Sequence, residues 1–216
     1  MKKSKTALIF ILAFTALIQS GCSRGEQNVS VFLNQLQVPV LKYRDNNPVL
    51  RMKVVNGDSV AKTVTSIKIN TAGTDDLDDI KAIRLFFMGK DSLWLRYETV
   101  PDKAGNILDP LYDEFSPLQF GQDMKPAPSI TFKGEQMLAP GDNYFWVMVE
   151  LSENASLHNK IDAGCNRMII GGERPAVPDA DPPVRQRIGV AVRKHSDDNV
   201  DTYRVPGLAT TRKGTL

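Results

Sequence analysis

Cysteine and histidine are scarce in this 216-residue sequence, with two of each. If Cys22, at the end of an apolar leader, is used there, Cys165 has no partner in the chain. That excludes a disulfide framework and leaves Cys165 as a small buried or half-buried side chain. His158 and His195 are far apart, and neither has a cysteine–histidine cluster beside it, so no metal-ligand spacing is present and no metal is expected. A one-signed charge excess is also lacking. The formal net charge is +2, and Lys2, Lys3 and Lys5 of the leader account for it, so the remainder is near neutral. That gives no electrostatic case for a nucleic-acid partner. Nor is there a long amphipathic helical period, or a set of side chains whose spacing alone makes a catalytic group.

What is present begins with the leader. Lys2, Lys3 and Lys5 precede an apolar run of twelve residues, Ala7 to Ile18, broken only by Thr15. That run is shorter than the roughly 20 residues a spanning helix needs, and it suits a cleaved signal. Gln19-Ser20-Gly21-Cys22 follows. A cysteine after small residues resembles the bacterial lipobox, although Gln19 stands where that pattern usually has Leu. The resemblance implies a signal over 1–21, lipidation of Cys22, a tether over 22–28, and a membrane partner reached through the acyl chains. The expected location is the outer membrane, cell surface or periplasm.

From Val29 the hydrophobic period becomes two. Val29, Val31 and Leu33 alternate with polar or opposite-facing residues, as do Leu50, Met52 and Val54, and then Ile67 and Ile69. Half-buried strands require this alternation. Ile80 to Met88 is a strand candidate, with one helical turn around Leu77 to Ala82 as the alternative lead-in. Asp75, Asp76, Asp78 and Asp79 read as a solvated acidic loop, because they lack the glycine and terminal glutamate of a calcium loop. Short turns at steady intervals suggest a meander within a sandwich or barrel. Val100 to Pro128 is Pro-punctuated and irregular, and Ile130 to Phe132 reads as a short strand. Tyr144 to Leu151 is apolar on both faces, so it is expected at the centre of a sheet. Trp94 and Trp146 are candidates to stack on a sugar ring, with a place in the core as the other reading of each.

The expected architecture is all-β: an antiparallel, jelly-roll-like β-sandwich over 29–171, then a Pro-rich extended linker over 172–186. A new strand, Arg187 to Arg193, opens the last segment, 187–216. Within it, Tyr203-Arg204-Val205-Pro206-Gly207-Leu208 and Thr211-Arg212-Lys213-Gly214-Thr215-Leu216 stand around a turn.

This last stretch resembles the opening of a bacterial exo-α-sialidase (neuraminidase) catalytic domain, a six-bladed β-propeller with BNR or Asp-box repeats that begins with an Arg-Ile/Val-Pro motif. The sandwich placed before it resembles the accessory domain of Bacteroides-type sialidases. The resemblance implies that Arg204 is one of three arginines holding the sialic acid carboxylate, a task suited to a planar guanidinium fork. It implies retaining hydrolysis of sialylated glycans, with a tyrosine nucleophile and no cofactor. The family's other arginines, its nucleophile and its acid/base aspartate are expected beyond Leu216. The chain alone is then expected to be inactive, with the start of the propeller truncated and the residues after Arg187 loosely packed. The alternative is a stand-alone surface glycan-binding lipoprotein.

Overall fold

The computed structural model describes residues 28–92, 117–172, 175–178, 180, 184–190, 193 and 197–200. The strands are β1 (Val29–Asn34), β2 (Val40–Lys42), β3 (Asn47–Asn56), β4 (Lys62–Asn70), β5 (Ile80–Phe87) and β6 (Leu118–Gln119). They continue with β7 (Ser129–Leu138), β8 (Gly141–Leu151), β9 (Lys160–Ile161), β10 (Gly164–Ile170), β11 (Pro175–Ala176) and β12 (Gln186–Val190). A five-stranded sheet has the order β1-β3-β8-β5-β6, and a four-stranded sheet the order β11-β10-β4-β7. Every pairing within these two sheets is antiparallel.

One continuous core lies between the two sheets. Leu50, Met52 and Val54 of β3, Ile83 and Leu85 of β5, and Phe145 and Val147 of β8 meet Val64, Ile67 and Ile69 of β4 and Phe132 of β7. Burying each such large side chain is worth about 1.5–3 kcal/mol. Phe145 packs on Phe87 with centroids 4.9 Å apart and meets Phe120 edge-on at 5.9 Å. β8 is the middle strand of its sheet, as the apolar character of both its faces requires.

The alternation slips where the ladder bulges. Val64 and Ile67 are both buried although three residues apart, and the β4–β7 register shifts between Val64 and Ser66. Ile80 and Ile83 repeat the pattern on β5, and Cys165 and Met168 on β10, each across a register shift. An extra residue in one strand resets which face the following side chains occupy.

Four expectations are corrected. The strands do not run as a meander: β3, β5 and β8 lie in one sheet while β4, β7 and β10 lie in the other, so successive strands cross the sandwich. A turn sequence states that the chain reverses, not which sheet receives it. The strand expected at Ile130 to Phe132 is part of the ten-residue β7, which runs through Gly134. Gly134 is tolerated there because the Phe120 ring takes the space of a side chain; a Cβ would lie 3.2 Å from it. The acidic loop is not simply solvated. Asp76 caps a short 3-10 turn, Leu77–Asp79, by accepting from the Asp78 amide, and Asp79 is buried.

The stretch after Gly172 is built into the sandwich rather than free of it. Pro175–Ala176 extends the edge of the four-stranded sheet. Gln186–Val190 pairs in parallel with β2 and antiparallel with β9, forming a three-stranded sheet of order β2-β12-β9. Gln186 and Ile188 are buried, so this part of the segment expected to pack loosely is fixed.

Candidate functional site

The outer face of the five-stranded sheet carries the polar chemistry. Along β8, Phe145, Val147, Val149 and Leu151 enter the main core, so Asp142, Tyr144, Trp146, Met148 and Glu150 line the opposite face. Register sets Lys53 opposite Tyr144, both Arg51 and Phe86 opposite Trp146, and Arg84 opposite Met148. Lys53 forms an ion pair with Asp142 at 2.7 Å, and this hydrogen bond raises the lysine's pKa. The Arg51 guanidinium lies 6.0 Å from the Trp146 ring centre.

At the far end of β8 this face becomes an ion network. Arg84 donates from Nη2 to Glu150 at 2.7 Å, from Nε to Asp123 at 2.8 Å and from Nη1 to the Asp45 carbonyl at 2.7 Å. Lys81 also donates to Glu150. The hydrogen bonds from Lys81 and then Arg84 hold the Glu150 carboxyl below its usual range. Gln119 and then Arg84 do the same for Asp123.

Beside the network is a cleft of about 390 Å³. One wall is the loop after β2, with Tyr43, Arg44 and Asp45. Lys81 of β5, Glu150 and Leu151 at the end of β8, and Ser152 and Glu153 just after it form the rest. Asn47 fixes the loop: its side chain accepts from the Leu41 amide at 2.8 Å and donates to the Leu41 carbonyl at 2.9 Å. The same amide reaches the carbonyls of Arg44 and Val149, each at 3.2 Å. Tyr43 is held at φ 63° and is 63% exposed. A bulky residue in the left-handed region costs about 1–3 kcal/mol and persists only where its surroundings impose it. Burial lowers the pKa of Arg44 from its ordinary value.

Trp146 does not serve as a sugar platform here. It is 2% exposed and packs with Met88 and Met148, next to Leu36, Phe86 and Tyr144. Its place on the central strand, with neighbours on both sides, encloses the indole. Cys165 is buried, as read from the sequence, and its thiol donates to the Arg167 carbonyl at 3.8 Å. Cys22, Trp94 and Arg204 lie outside the described residues. Among the described residues no group of three His, Cys, Asp or Glu side chains could hold a metal ion. Sequence reasoning passed over Tyr43. Its only signal is an isolated aromatic in the polar run Tyr43-Arg44-Asp45-Asn46-Asn47, outside any alternating segment.

A two-sheet antiparallel sandwich with a polar cleft at one rim defines the class: a β-sandwich module. The chain belongs to a particular family of such modules, the N-terminal domain of BNR-repeat neuraminidase, whose family model matches residues 28–174. A Bacteroides fragilis (strain YCH46) protein named Sialidase is 27% identical over 198 residues, 87% of this chain and 35% of its own length. The chain thus spans about a third of that relative. A solved structure of a Hadza microbial sialidase matches with a TM-score of 0.64 at 24% identity, over 83% of this chain and 35% of that one. At that identity the likeness speaks for the fold.

Proposed function

We propose that this chain is the N-terminal part of an exo-α-sialidase that releases terminal sialic acids from glycoconjugates. The observation that carries the reading is the family match over residues 28–174. The relative named Sialidase supports it. In this reading 1–21 is a signal peptide, 22–28 a tether and 29–171 the accessory sandwich. The proposed linker over 172–186 is then partly structured, since Pro175–Ala176 is an edge strand of the sandwich and Gln186 begins a strand of the small sheet beside it. The propeller opens within 187–216, beyond the strand that ends at Val190. Arg204 is one arm of the clamp on the sialic acid carboxylate, where a bidentate guanidinium gives both charge and orientation. Sialylated glycans are the substrates of the whole protein. Lipid on Cys22 holds it at the outer membrane, facing the periplasm or the outside. The sandwich binds glycan or braces the propeller.

The test is to express the reading frame continued beyond the codon for Leu216 and assay a fluorogenic sialoside. The continued product turns it over, and the 216-residue chain does not. Arg204→Ala in the continued product lowers kcat/KM by about a hundredfold or more, on the scale of a lost charged hydrogen-bonded pair. A continued product inert toward sialosides, or an Arg204→Ala variant with unchanged kinetics, overturns the reading. Radiolabelled palmitate incorporated by the chain, and lost in Cys22→Ala, tests the anchor.

A second reading is a stand-alone surface glycan-binding lipoprotein. The exposed Tyr43 beside a polar cleft favours it. Saturable glycan binding without sialoside turnover in the continued product would select it.

A further inference from the structure

We infer that the cleft beside Tyr43 is a subsite for a neutral hexopyranose, with the sugar ring on the Tyr43 ring and its hydroxyls on the charged groups behind. Three features lead there. An exposed aromatic ring offers an apolar face and a polar tip, which matches the mixed faces of a pyranose. That ring is presented rather than incidental. It is held at φ 63° by a loop whose carbonyls and amides are fixed by Asn47 and Arg84. The pocket behind it, about 390 Å³, has room for one sugar ring and supplies both acceptors and donors.

Charge selects the kind of sugar. Two cations, Arg44 and Lys81, line the cleft against three carboxylates, Asp45, Glu150 and Glu153; around it the Lys42 ammonium lies 5.8 Å from the Tyr43 ring centre and Arg84 is paired with Asp123, so the charges balance. Glu150 is already engaged by Lys81 and Arg84. No positive excess remains to hold a carboxylated sugar. Paired charges suit hydroxyl groups, which donate and accept at once. The inference rests on the sialidase reading for its biological meaning: the neutral sugar is then the one uncovered when sialic acid leaves, so the module would hold the enzyme on glycan it has already trimmed.

Saturation-transfer NMR on the chain, with lactose and N-acetylneuraminic acid as separate probes, tests it. Lactose gives saturable transfer and N-acetylneuraminic acid gives none. Tyr43→Gly weakens lactose binding by about tenfold or more, as expected for the loss of one aromatic platform. This variant suits the backbone, because glycine accepts positive φ without strain, so its melting temperature stays level or rises. Tyr43→Trp restores a ring and keeps binding. Absence of lactose transfer, transfer to N-acetylneuraminic acid at equal strength, or unchanged binding in Tyr43→Gly each overturns the subsite. A sialidase-active continued product whose module ignores lactose overturns the subsite alone. Tyr43-dependent lactose binding beside an inert continued product overturns the sialidase reading alone.

Discussion

The side-chain nitrogen of Gln186 lies 3.0 Å from the carbonyl oxygen of Pro48, across 138 residues of chain. The same nitrogen is 3.0 Å from the Val38 carbonyl. One buried amide therefore ties β12 to both flanks of the segment that carries β2 and Tyr43. Gln186→Ala leaves two carbonyls short of a donor and is expected to cost about 1–3 kcal/mol. A domain of this size then melts roughly 2–4 °C lower per kcal/mol. Thermal unfolding followed by circular dichroism checks this. An unchanged melting temperature would show that β12 adds nothing to the sandwich.

Asp79 ties the acidic loop to the segment after β8. Its carboxylate accepts from the Ser156 amide and from the Asn159 side chain, both at 2.8 Å. Asp79→Ala strands these donors in a buried place and is expected to cost about 2–3 kcal/mol, the scale of hydrogen bonds to a charged group. Urea denaturation reads this as a lower midpoint with an unaltered slope. A midpoint equal to that of the unaltered chain would mean that the loop is merely solvated after all.

Glu150 sets an acid limit. Its folded pKa is held below the unfolded value by Lys81 and Arg84. A carboxylate depressed in this way stabilises the fold fully above its unfolded pKa, and that contribution is lost as pH falls through the folded value. The loss is therefore expected from about pH 5 downward. Glu150→Gln should be less stable at pH 7 by about 1–2 kcal/mol, since the network is only partly shielded from water. Its stability should then fall less steeply with acid than that of the unaltered chain. Parallel stability curves between pH 7 and 3 would refute the coupling.

Gly121 has φ +80°, and a Cβ there would lie 2.9 Å from the Lys133 carbonyl oxygen. The obstacle is backbone, so it cannot swing aside. Gly121→Ala combines a left-handed penalty with a clash and is expected to destabilise by about 1–3 kcal/mol. By contrast, a Cβ at Gly141 meets nothing within 4 Å, so the backbone penalty acts alone there. Equal melting temperatures for the two alanine variants would remove the steric part of this account.

Much of the strand content was legible because alternation is local. Val31, Met52, Val54, Ile67, Ile69, Leu85 and Phe145 are all buried where period two puts them. The bulges were not legible, because an extra residue is recognised only against a partner strand. The candidate site was poorly legible for a related reason. Trp146 could be read either as a stacking ring or as core, and its neighbours across the sheet, Arg51 and Phe86, which decide for core, come from segments distant in sequence. Tyr43 carried no periodic signal, and its presentation depends on Asn47 reaching the Val149 carbonyl on another strand.

The sequence by itself determined the all-β character and the central rank of Tyr144–Leu151, since each follows from period along a few neighbouring residues. The tertiary structure alone decided which sheet receives each strand, that Gln186–Val190 belongs with the sandwich, and that Tyr43, Lys81 and Glu150 share one cleft. Those outcomes depend on hydrogen bonds and burial between segments dozens of residues apart. No local pattern encodes such pairings, because a strand's edges are the same whichever partner they meet.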